Sequence, residues 1–415
     1  MSIPSTLYSR RRDLDVVREL VVVSLIFFHT ARIFDDLSFY VKNEPSESAV
    51  TFVVVLAAFW GMPLMFSIAG FAIWHSLQKR KVVAFVRERI RRLLIPFIVG
   101  IFILVPPQIY FRLSTDPAYR ESYTQFYPRF FDVTFNIDFP WFISASPTTG
   151  LFQPAHLWFL YNLLVYTLLL LPVFLYLRKP QGRLLVERIV SFSNRPWTVF
   201  LLALPIALLE VALGADMSGG WNQSVYIIFI VYGYLFAANA RFRHTFCKNR
   251  KIGLVFAIMG STIGLVALYV LVESSDTDPL QDYDLASMML RFSKGFVGWF
   301  WVVAILGFLE NACNSRQTAG TTGYSLSVSR ESVASGGVLA CVERYANEAV
   351  LPFYLLHQTV IVVTGFYVVQ WNTGALPKFF IISLASLVVT LLLYEVMIRR
   401  IMLMRFLFGM KSGKE

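Results

Sequence analysis

The sequence predicts an all-α integral membrane protein, a polytopic bundle of about ten transmembrane helices with both termini in the cytoplasm. Three observations predict this fold: 56% of the 415 residues are hydrophobic, only 15% are charged, and apolar runs recur from residue 16 to residue 398. A soluble domain carries about 25% charged residues, so the apolar surplus must face lipid. No long polar block separates the runs, and we expect a single membrane domain over residues 1–415.

Each predicted helix is an apolar run close to the ~20 residues that a bilayer crossing requires. The runs lie near residues 16–34, 50–77, 94–111, 155–177, 197–213, 224–240, 252–272, 287–309, 349–369 and 378–398. The fifth and sixth runs are the shortest, and Pro205, Gly219 and Gly220 lie in or beside them, which predicts tilted or broken helices. More runs follow the first, so we expect a retained first helix rather than a cleaved signal peptide.

Positive charge gives the predicted orientation. The chain has 37 Lys and Arg against 26 Asp and Glu, and most of the positive residues fall in alternate gaps between the runs, beginning with the N-terminal gap and ending with the C-terminal one. Short cytoplasmic loops retain Lys and Arg, so these gaps are predicted to be cytoplasmic. This arrangement accounts for the formal charge of +11 without a nucleic-acid partner, and membrane lipid is the expected surroundings.

Two gaps are longer than turns. Residues 112–154 are rich in aromatic residues and Pro, and we expect an extracytoplasmic loop that receives a large polar ligand. Residues 311–346 are rich in Ser, Gly and Thr, which predicts a flexible cytoplasmic loop. No phosphate-cradling glycine loop is present, so no permanently bound cofactor is expected. The three cysteines have no CxxC spacing, which indicates reduced, structural thiols.

Polar side chains inside the apolar runs indicate function, because a charge at the bilayer centre costs at least ~2.5–3.5 kcal/mol. Arg18 and His29 lie eleven positions apart, which places them on one helix face with ~16 Å between them along the axis. We interpret Arg18 as an anion ligand at the entrance and His29 as the group that does chemistry further in. The alternative is that Arg18 reaches lipid headgroups while His29 packs against a neighbouring helix.

A basic run precedes the third span and contains Arg87, Arg91 and Arg92. Such a run can be a topological anchor only. Arg forks also match phosphate geometry, which favours a nucleotide-like cytoplasmic ligand such as coenzyme A.

Two further histidines, His156 and His357, lie at the end and in the middle of spans. No i,i+4 pair of ligands supports a metal site, and we expect none. A neutral imidazole that takes a proton from a hydroxyl fits His29 and His357 better. Arg291, at the outer end of its span, either holds an anionic group or sugar, or anchors the helix at the interface.

Taken together, these motifs resemble the acyltransferase-3 family of membrane-bound acyltransferases. The resembling segments are Asp15-x-x-Arg18 with His29, Phe66-Ser67-Ile68-Ala69-Gly70-Phe71, Phe85 through Arg87 and Arg92 to Pro96, His156-Leu157-Trp158-Phe159-Leu160, and Tyr354-Leu355-Leu356-His357. They follow in the family's order over nearly the whole chain. One departure is Ala69, where the family usually has Ser. The fourth-span segment, which begins with His, is similar to that of a succinyltransferase branch.

The resemblance implies that an acyl group, acetyl or succinyl, passes from cytoplasmic acyl-CoA, a co-substrate, to a hydroxyl of an extracytoplasmic sugar or glycan. His29 is then the base or acyl relay, with Arg18 and His357 beside it in the catalytic set. Arg87, Arg91 and Arg92 bind the donor, while His156, Trp158 and Arg291 contact the acceptor. The family also implies a bacterial inner-membrane location. The competing hypothesis is a transporter or flippase for a glycan or lipid-linked sugar, although no inverted repeat is evident.

Overall fold

The computed structural model describes residues 12–134, 144–145, 151–195, 197–214, 219–274, 278–279, 281–322 and 337–410. Within these residues the regular secondary structure is helical apart from one two-residue antiparallel pairing. The helices are α1 (Arg12–Ala31), α2 (Ser48–Ala58), α3 (Gly61–Lys79), α4 (Val82–Arg89), α5 (Ile95–Ile103), α6 (Val105–Leu113), α7 (Tyr123–Phe130), α8 (Trp158–Leu169), α9 (Leu171–Leu177), α10 (Pro180–Ser193), α11 (Thr198–Leu201), α12 (Leu204–Leu213), α13 (Val225–Ala238), α14 (Ala240–Ser274), α15 (Leu285–Thr322), α16 (Gly337–Val368), α17 (Ala375–Leu393) and α18 (Met402–Leu407). Strands β1 (Val133–Thr134) and β2 (Ser144–Ala145) form the pairing.

The predicted all-helical membrane fold is confirmed, but the structure supports fewer spans than the sequence predicts. In the described residues, six helical stretches are long and apolar enough to cross a bilayer, and two bent pairs bring the number to eight. The stretches are Ser48–Lys79, Val82–Leu113, Ala240–Ser274, Leu285–Cys313, Arg344–Val368 and Ala375–Ile398, and the bent pairs are Ala155–Leu169 with Leu171–Leu177 and Pro180–Ser193 with Thr198–Leu213. The other two predicted spans are α1, which carries Asp15, Arg18 and Glu19, and α13, which has 14 residues.

Proline accounts for the helix irregularity between α4 and α5. The stretch from α4 to α5 passes through a π-helical turn at Ile90–Leu94, directly before Pro96. Proline cannot donate a backbone hydrogen bond, and its ring crowds the carbonyl four residues earlier. A wider π turn relieves this crowding, and such turns are frequent at functional sites.

The single membrane domain expected from the sequence is built from two compact units. Unit 1 comprises Met1–Arg18, Val55–Phe85 and Val165–Cys341, and unit 2 comprises Glu19–Val54, Val86–Leu164 and Val342–Glu415. Each unit is therefore assembled from three separate stretches of the chain.

In unit 1, small residues bring helices into close contact. A Cβ atom on Gly70 of α3 would lie 2.0 Å from the Ile230 carbonyl oxygen of α13. A Cβ on Gly233 of α13 would lie 1.8 Å from the carbonyl oxygen of Ser67. Glycines at such crossings allow backbones to approach as they do in other membrane helix pairs. Gly70 of the second-span motif is thus explained by packing.

In unit 2, buried amides and hydroxyls join α6 to α16. Gln108 donates from Nε2 to Thr359 Oγ1 at 2.9 Å, and Gln358 donates to Gln108 Oε1 at 3.1 Å. Thr359 in turn donates to the Leu104 carbonyl at 2.7 Å. Because no water is available in the bilayer core to satisfy these groups, this network fixes α16 and the histidine that it carries.

The loop predicted over 311–346 is largely helix where it is described. The helix α15 continues to Thr322, and α16 begins at Gly337. The loop is predicted from the Ser, Gly and Thr content of the whole gap. Good helix formers around its start, such as Leu309, Glu310 and Ala312, nevertheless let α15 extend beyond its apolar part. The middle of the predicted loop, 323–336, lies outside the described residues, as do residues 135–143 and 146–150 of the predicted outer loop.

Candidate functional site

Three of the five histidines meet in unit 2. The ring centroids of His29 and His357 lie 5.3 Å apart, and those of His156 and His357 are also 5.3 Å apart. His29 comes from the last turn of α1, His156 from the short 3₁₀ turn that precedes α8, and His357 from α16. Residues separated by up to 328 positions in the sequence therefore form one imidazole cluster, and His357 lies at its centre.

A backbone carbonyl fixes the hydrogen-bonding state of His357. Its Nδ1 lies 2.6 Å from the carbonyl oxygen of Tyr354. A carbonyl oxygen only accepts, so Nδ1 carries the proton in the neutral ring and Nε2 carries a lone pair. This Nε2 is buried and has no hydrogen-bond partner among the described residues. His357 therefore presents an unused proton acceptor to the cluster.

The same reasoning applies to His156 with its nitrogens exchanged. Its Nε2 lies 3.0 Å from the Leu355 carbonyl, which leaves the lone pair on Nδ1. The Tyr354 hydroxyl donates to the His156 carbonyl, so a second contact holds this residue against α16. Ala155, just before it, has a φ of 49°, a left-handed conformation that non-glycine residues rarely adopt. Such strained backbone commonly marks a functional turn.

His29 is half-buried, with aromatic rings on two sides. Its ring stacks on Phe39 with a centroid distance of 6.2 Å and an interplanar angle of 15°. The Arg32 guanidinium lies over the same Phe39 ring, 5.6 Å from its centroid. The Nδ1 atom of His29 is buried without a hydrogen-bond partner in the described chain.

A salt-bridged loop positions Phe39. Asp35 is fully buried and accepts hydrogen bonds from Arg32 at 2.5 Å and Lys42 at 2.8 Å. The Leu37 backbone N–H also donates to Asp35, at 3.1 Å. Three donors compensate the burial of this carboxylate, and the pairing locks the loop that follows α1.

Two other groups of this loop have shifted pKa values. Burial raises the pKa of Tyr40 to about 12, opposed by the nearby Arg112 charge and by Gln358. Hydrogen bonds from Ser46 and Thr51 lower the pKa of Asp36 from its ordinary value. The loop thus holds a neutral phenol beside Gln358, the residue next to His357 in the sequence.

Of the predicted catalytic residues, His29 and His357 are brought together, and Arg18 is placed as its spacing predicts. Arg18 lies two turns into α1 and pairs with Asp15 at 3.4 Å, an i,i+3 contact on the same helix. The continuous helix from Arg12 to Ala31 preserves the predicted register of Arg18 and His29.

The three predicted donor-binding arginines differ from one another in their surroundings. Arg92 contacts Glu88 at 3.6 Å and donates to the Gly409 carbonyl at 3.3 Å. The Arg91 guanidinium lies 5.6 Å from the centroid of Phe406. Arg87 is exposed, and no ion pair or hydrogen bond to it is present in the described chain. Because the π turn intervenes, Arg87 and Arg91 are not simply one α-helical turn apart.

The predicted acceptor-binding residues also fall in different surroundings. Besides His156, unit 2 contains Trp158, which is half-buried and packs edge-on against Phe159 at 6.4 Å. Arg291 belongs to unit 1 and is fully buried. None of its guanidinium nitrogens has a hydrogen-bond partner in the described residues, although its charge lies 5.0 Å from the Tyr283 centroid.

The chemistry that this cluster supports is proton transfer. Among the described residues no group of three His, Cys, Asp or Glu side chains is arranged to hold a metal ion. Neutral imidazoles with unused lone pairs, in a largely buried setting, are suited to take a proton from a hydroxyl.

Sequence reasoning missed Asp35 and Phe39 as site-building residues, and it named Tyr354 only as part of a family-like segment. In the sequence Asp35 stands beside Asp36 and near Glu44 and Glu47, and charge alone indicates no more than an acidic outer loop. The signal that could have found it is Arg32 three residues earlier, at the spacing of an ion pair on one helix turn. The roles of Phe39 and Tyr354 depend on tertiary contacts, which local spacing does not reveal.

The family comparison agrees with the sequence motifs. A family model described as an acyltransferase domain, that of the acyltransferase-3 family, matches residues 11–395. No curated protein and no solved structure shows significant similarity to the chain. The match spans both compact units and includes all three clustered histidines.

Proposed function

Because the chain belongs to the acyltransferase-3 family, we propose that it transfers an acyl group from acyl-CoA to a hydroxyl of an extracytoplasmic sugar or glycan. The family and the apolar helices make it a membrane acyltransferase. The donor, the acceptor and the O-acyl product are our proposal, with acetyl and succinyl as the acyl groups considered. The observation that carries the proposal is the imidazole cluster of His29, His156 and His357.

The proposed chemistry needs one base and a dry site. His29 removes the proton from the acceptor hydroxyl, the oxygen attacks the thioester carbonyl, and the C–S bond breaks as the new ester C–O bond forms. The CoA thiolate leaves and recovers the proton from the imidazolium. General base catalysis of this kind contributes about 10²–10⁴-fold to the rate. An equivalent route passes the acyl group through His29 before it reaches the acceptor.

His357 supports this role from a fixed position. Because Tyr354 holds its Nδ1–H, His357 can accept a proton only at Nε2. It lies between the other two imidazoles and can therefore pass a proton between them. We assign His357 to proton transfer and His156 to acceptor contact.

Arg87 is the strongest of the proposed donor ligands. It is exposed, whereas Arg91 and Arg92 contact Phe406 and the Gly409 carbonyl near the end of the described chain. A guanidinium matches phosphate oxygens in a bidentate way, which suits the phosphates of coenzyme A. Arg18, with Asp15 beside it, is proposed as a second positive group on the donor side.

Trp158 and Arg291 are proposed acceptor contacts. Sugars pack well against flat aromatic rings such as the half-buried Trp158. The Arg291 guanidinium, with no hydrogen-bond partner among the described residues, suits an anionic substituent on the acceptor. The same residue anchors its helix if the acceptor is neutral.

The proposal is tested with purified protein in lipid vesicles. Labelled acetyl-CoA and succinyl-CoA are supplied with an extracytoplasmic glycan fraction, and CoA release and label on glycan are measured for wild type, His29→Ala and His244→Ala. His244 is an exposed histidine of α14, outside the cluster, and serves as the matched control. We expect the His29 variant to lose at least about 100-fold in rate and the control to keep wild-type rates.

Three results would contradict the proposal. Retained transfer by a folded His29→Ala protein would remove the assigned role of His29. Equal loss in the His244 variant would indicate a general effect of histidine removal. Absence of transfer with any donor, together with movement of unmodified glycan across vesicles that lack acyl-CoA, would favour the transporter hypothesis.

A further inference from the structure

A cavity lies in unit 1, away from the imidazole cluster along the chain. Its volume is about 170 Å³, and its lining residues come from the turn after α10 and from one face of α14. They are Asn194, Arg195, Trp197, Thr245, Lys248, Asn249 and Ile252. Two cations, two amides, a hydroxyl and an indole therefore surround one small space.

The two cations in this cavity lack acidic partners. Arg195 and Lys248 are exposed and form no ion pair within the described chain. Their neighbours are different: Arg241 pairs with Glu187 at 3.7 Å, and Arg243 pairs with Glu310 at 3.6 Å. Glu187 and Glu310 thus pair with arginines that do not line the cavity, and the cavity carries a net positive charge.

Hydrogen bonds hold the polar lining in place. Thr245 donates to Asn194 Oδ1 at 3.2 Å, and Asn249 donates from Nδ2 to the Thr245 carbonyl at 2.8 Å. Since the Asn194 oxygen accepts, its amide N–H₂ remains as a donor in the lining. Trp197 has a φ of 65°, a left-handed conformation that non-glycine residues rarely adopt. Strain of this kind is commonly retained at ligand sites.

The surroundings of the cavity place it at a lipid interface. The helix α10 turns through 120° into the next apolar helix, and its exposed residues include Leu184, Leu185 and Phe192. Trp197 is 57% exposed beside them. Exposed apolar side chains next to basic ones are typical of a helix that lies in the headgroup region.

The sequence of α14 also indicates that the cavity lies at the depth of the lipid headgroups. The basic residues Lys248, Arg250 and Lys251 end where the long apolar run beginning at Ile252 starts. Cavity residues thus lie on both sides of the polar-to-apolar boundary. Basic pockets between helices at this depth are suited to lipid headgroups.

We propose that this cavity binds the phosphate group of an anionic phospholipid. Arg195 and Lys248 neutralise the phosphate, Asn194 donates a hydrogen bond to it, and the Trp197 ring packs beside the glycerol. The volume suits a phosphate with part of its headgroup, because drug-sized ligands need about 300–1,000 Å³. This site is independent of the acyl-transfer function.

The experiment measures retained lipid. Wild-type protein in nanodiscs of phosphatidylcholine with a minor share of phosphatidylglycerol is released for native mass spectrometry, and bound phosphatidylglycerol is counted. The test variant is Arg195→Gln with Lys248→Gln. The matched control is Arg188→Gln with Lys251→Gln, which removes two exposed cations of the same region that do not line the cavity.

We expect wild type and control to retain phosphatidylglycerol and the test variant to bind it at least about tenfold more weakly, since each basic residue contributes about 1 kcal/mol near an anionic surface. Equal loss in both double variants would reduce the effect to general surface charge and overturn the site. Unchanged binding in the test variant would also overturn it. Lys248→Gln alone provides an intermediate variant if the double variant fails to fold.

A competition arm identifies the source of the phosphate. Inorganic phosphate and coenzyme A are added separately to the wild-type sample. We expect neither to displace phosphatidylglycerol, because the acyl chains add apolar contact beside Trp197. Displacement by either compound would overturn the lipid assignment in favour of a soluble phosphate ligand.

Discussion

A histidine side chain acts as a base only through the nitrogen whose lone pair is free. In this cluster, backbone carbonyls decide which nitrogen that is: Tyr354 for His357 and Leu355 for His156. Both carbonyls belong to α16, so one helix sets the tautomer of two rings. The proton path through the site is therefore built into the backbone as much as into the histidines.

We predict that His357→Asn loses most of its activity while it stays folded. The Asn amide nitrogen occupies the position of Nδ1 and can still donate to the Tyr354 carbonyl, but no acceptor remains at the position of Nε2. We expect kcat to fall about 10²-fold or more, with little change in melting temperature. Turnover at saturating donor, combined with thermal melting, measures both. Near-wild-type kcat would assign His357 to packing alone.

We predict that Tyr40 remains a neutral phenol well above the pH at which a free tyrosine ionises. Burial raises its pKa to about 12, so its contribution to stability is fully present below about pH 10 and is lost as the pH rises through about 12. Absorbance at 295 nm is followed for wild type and Tyr40→Phe. The difference between them should stay flat from about pH 9 to about pH 11. Phenolate absorbance from Tyr40 in that interval would show that the loop is open.

At the scale of elements, close helix crossings explain why certain motif residues are small. In the crossing of α3 and α13, Phe66 stacks on Tyr226 at 4.3 Å with an interplanar angle of 22°. This ring stacking and the close backbone contacts at Gly70 and Gly233 join the same two helices. In this chain, Phe66 and Gly70 of the segment Phe66–Phe71 thus form part of a helix contact.

We predict that Gly233→Ala destabilises the protein. Its new methyl group would meet the Ser67 carbonyl oxygen at 1.8 Å, and the two backbones would have to separate. Overpacking of this kind costs about 1–3 kcal/mol and sometimes more. Gly61→Ala is the control, because no atom lies within 4 Å of the added Cβ. Thermal unfolding in detergent should show a lower melting temperature for the first variant only; equal melting temperatures would mean that the crossing is looser.

The helical fold and the candidate histidines are predictable from the sequence for different reasons. Apolar runs separated by charged gaps predict helices directly, because each bilayer span must satisfy its own backbone hydrogen bonds. His29 and His357 were identifiable because imidazoles are costly in an apolar run. The convergence of His156 on His357, and the burial of Asp35, depend on folding over distances that no local pattern encodes.

At the scale of the whole molecule, the candidate spans in the described residues differ widely in how much of their apolar window is buried. Only 17% of the apolar window of the helix Ala240–Ser274 is buried, whereas 67% of the window in Arg344–Val368 is buried. The first presents residues such as Ile258, Ile263 and Val270 to the surroundings, and the second carries His357. The proposed proton-transfer residue His357 thus lies on a helix that is largely covered by protein, where polar groups are tolerated.

The orientation of the whole chain is predicted from its charge, and the proposed count of ten depends on two helices outside the long apolar stretches and bent pairs, α1 and the short α13. At 14 residues it is about 21 Å long, less than the ~30 Å hydrocarbon core. Most of α13 is nevertheless buried within its unit, including Phe229, Ile230 and Tyr234. A helix covered by protein need not match the bilayer thickness, so we propose that α13 crosses and that both termini are cytoplasmic.

We predict that reporters placed on either side of α13 lie on opposite sides of the membrane. Alkaline phosphatase inserted at Gly220 should be active, and green fluorescent protein inserted at Arg241 should fluoresce, because the basic residues after α13 favour the cytoplasm. A green fluorescent protein at the C-terminus, which follows Arg399 and Arg400, should fluoresce as well. Phosphatase activity at both Gly220 and Arg241 would show that α13 is re-entrant, which would lower the number of crossings and place the C-terminus opposite to the prediction.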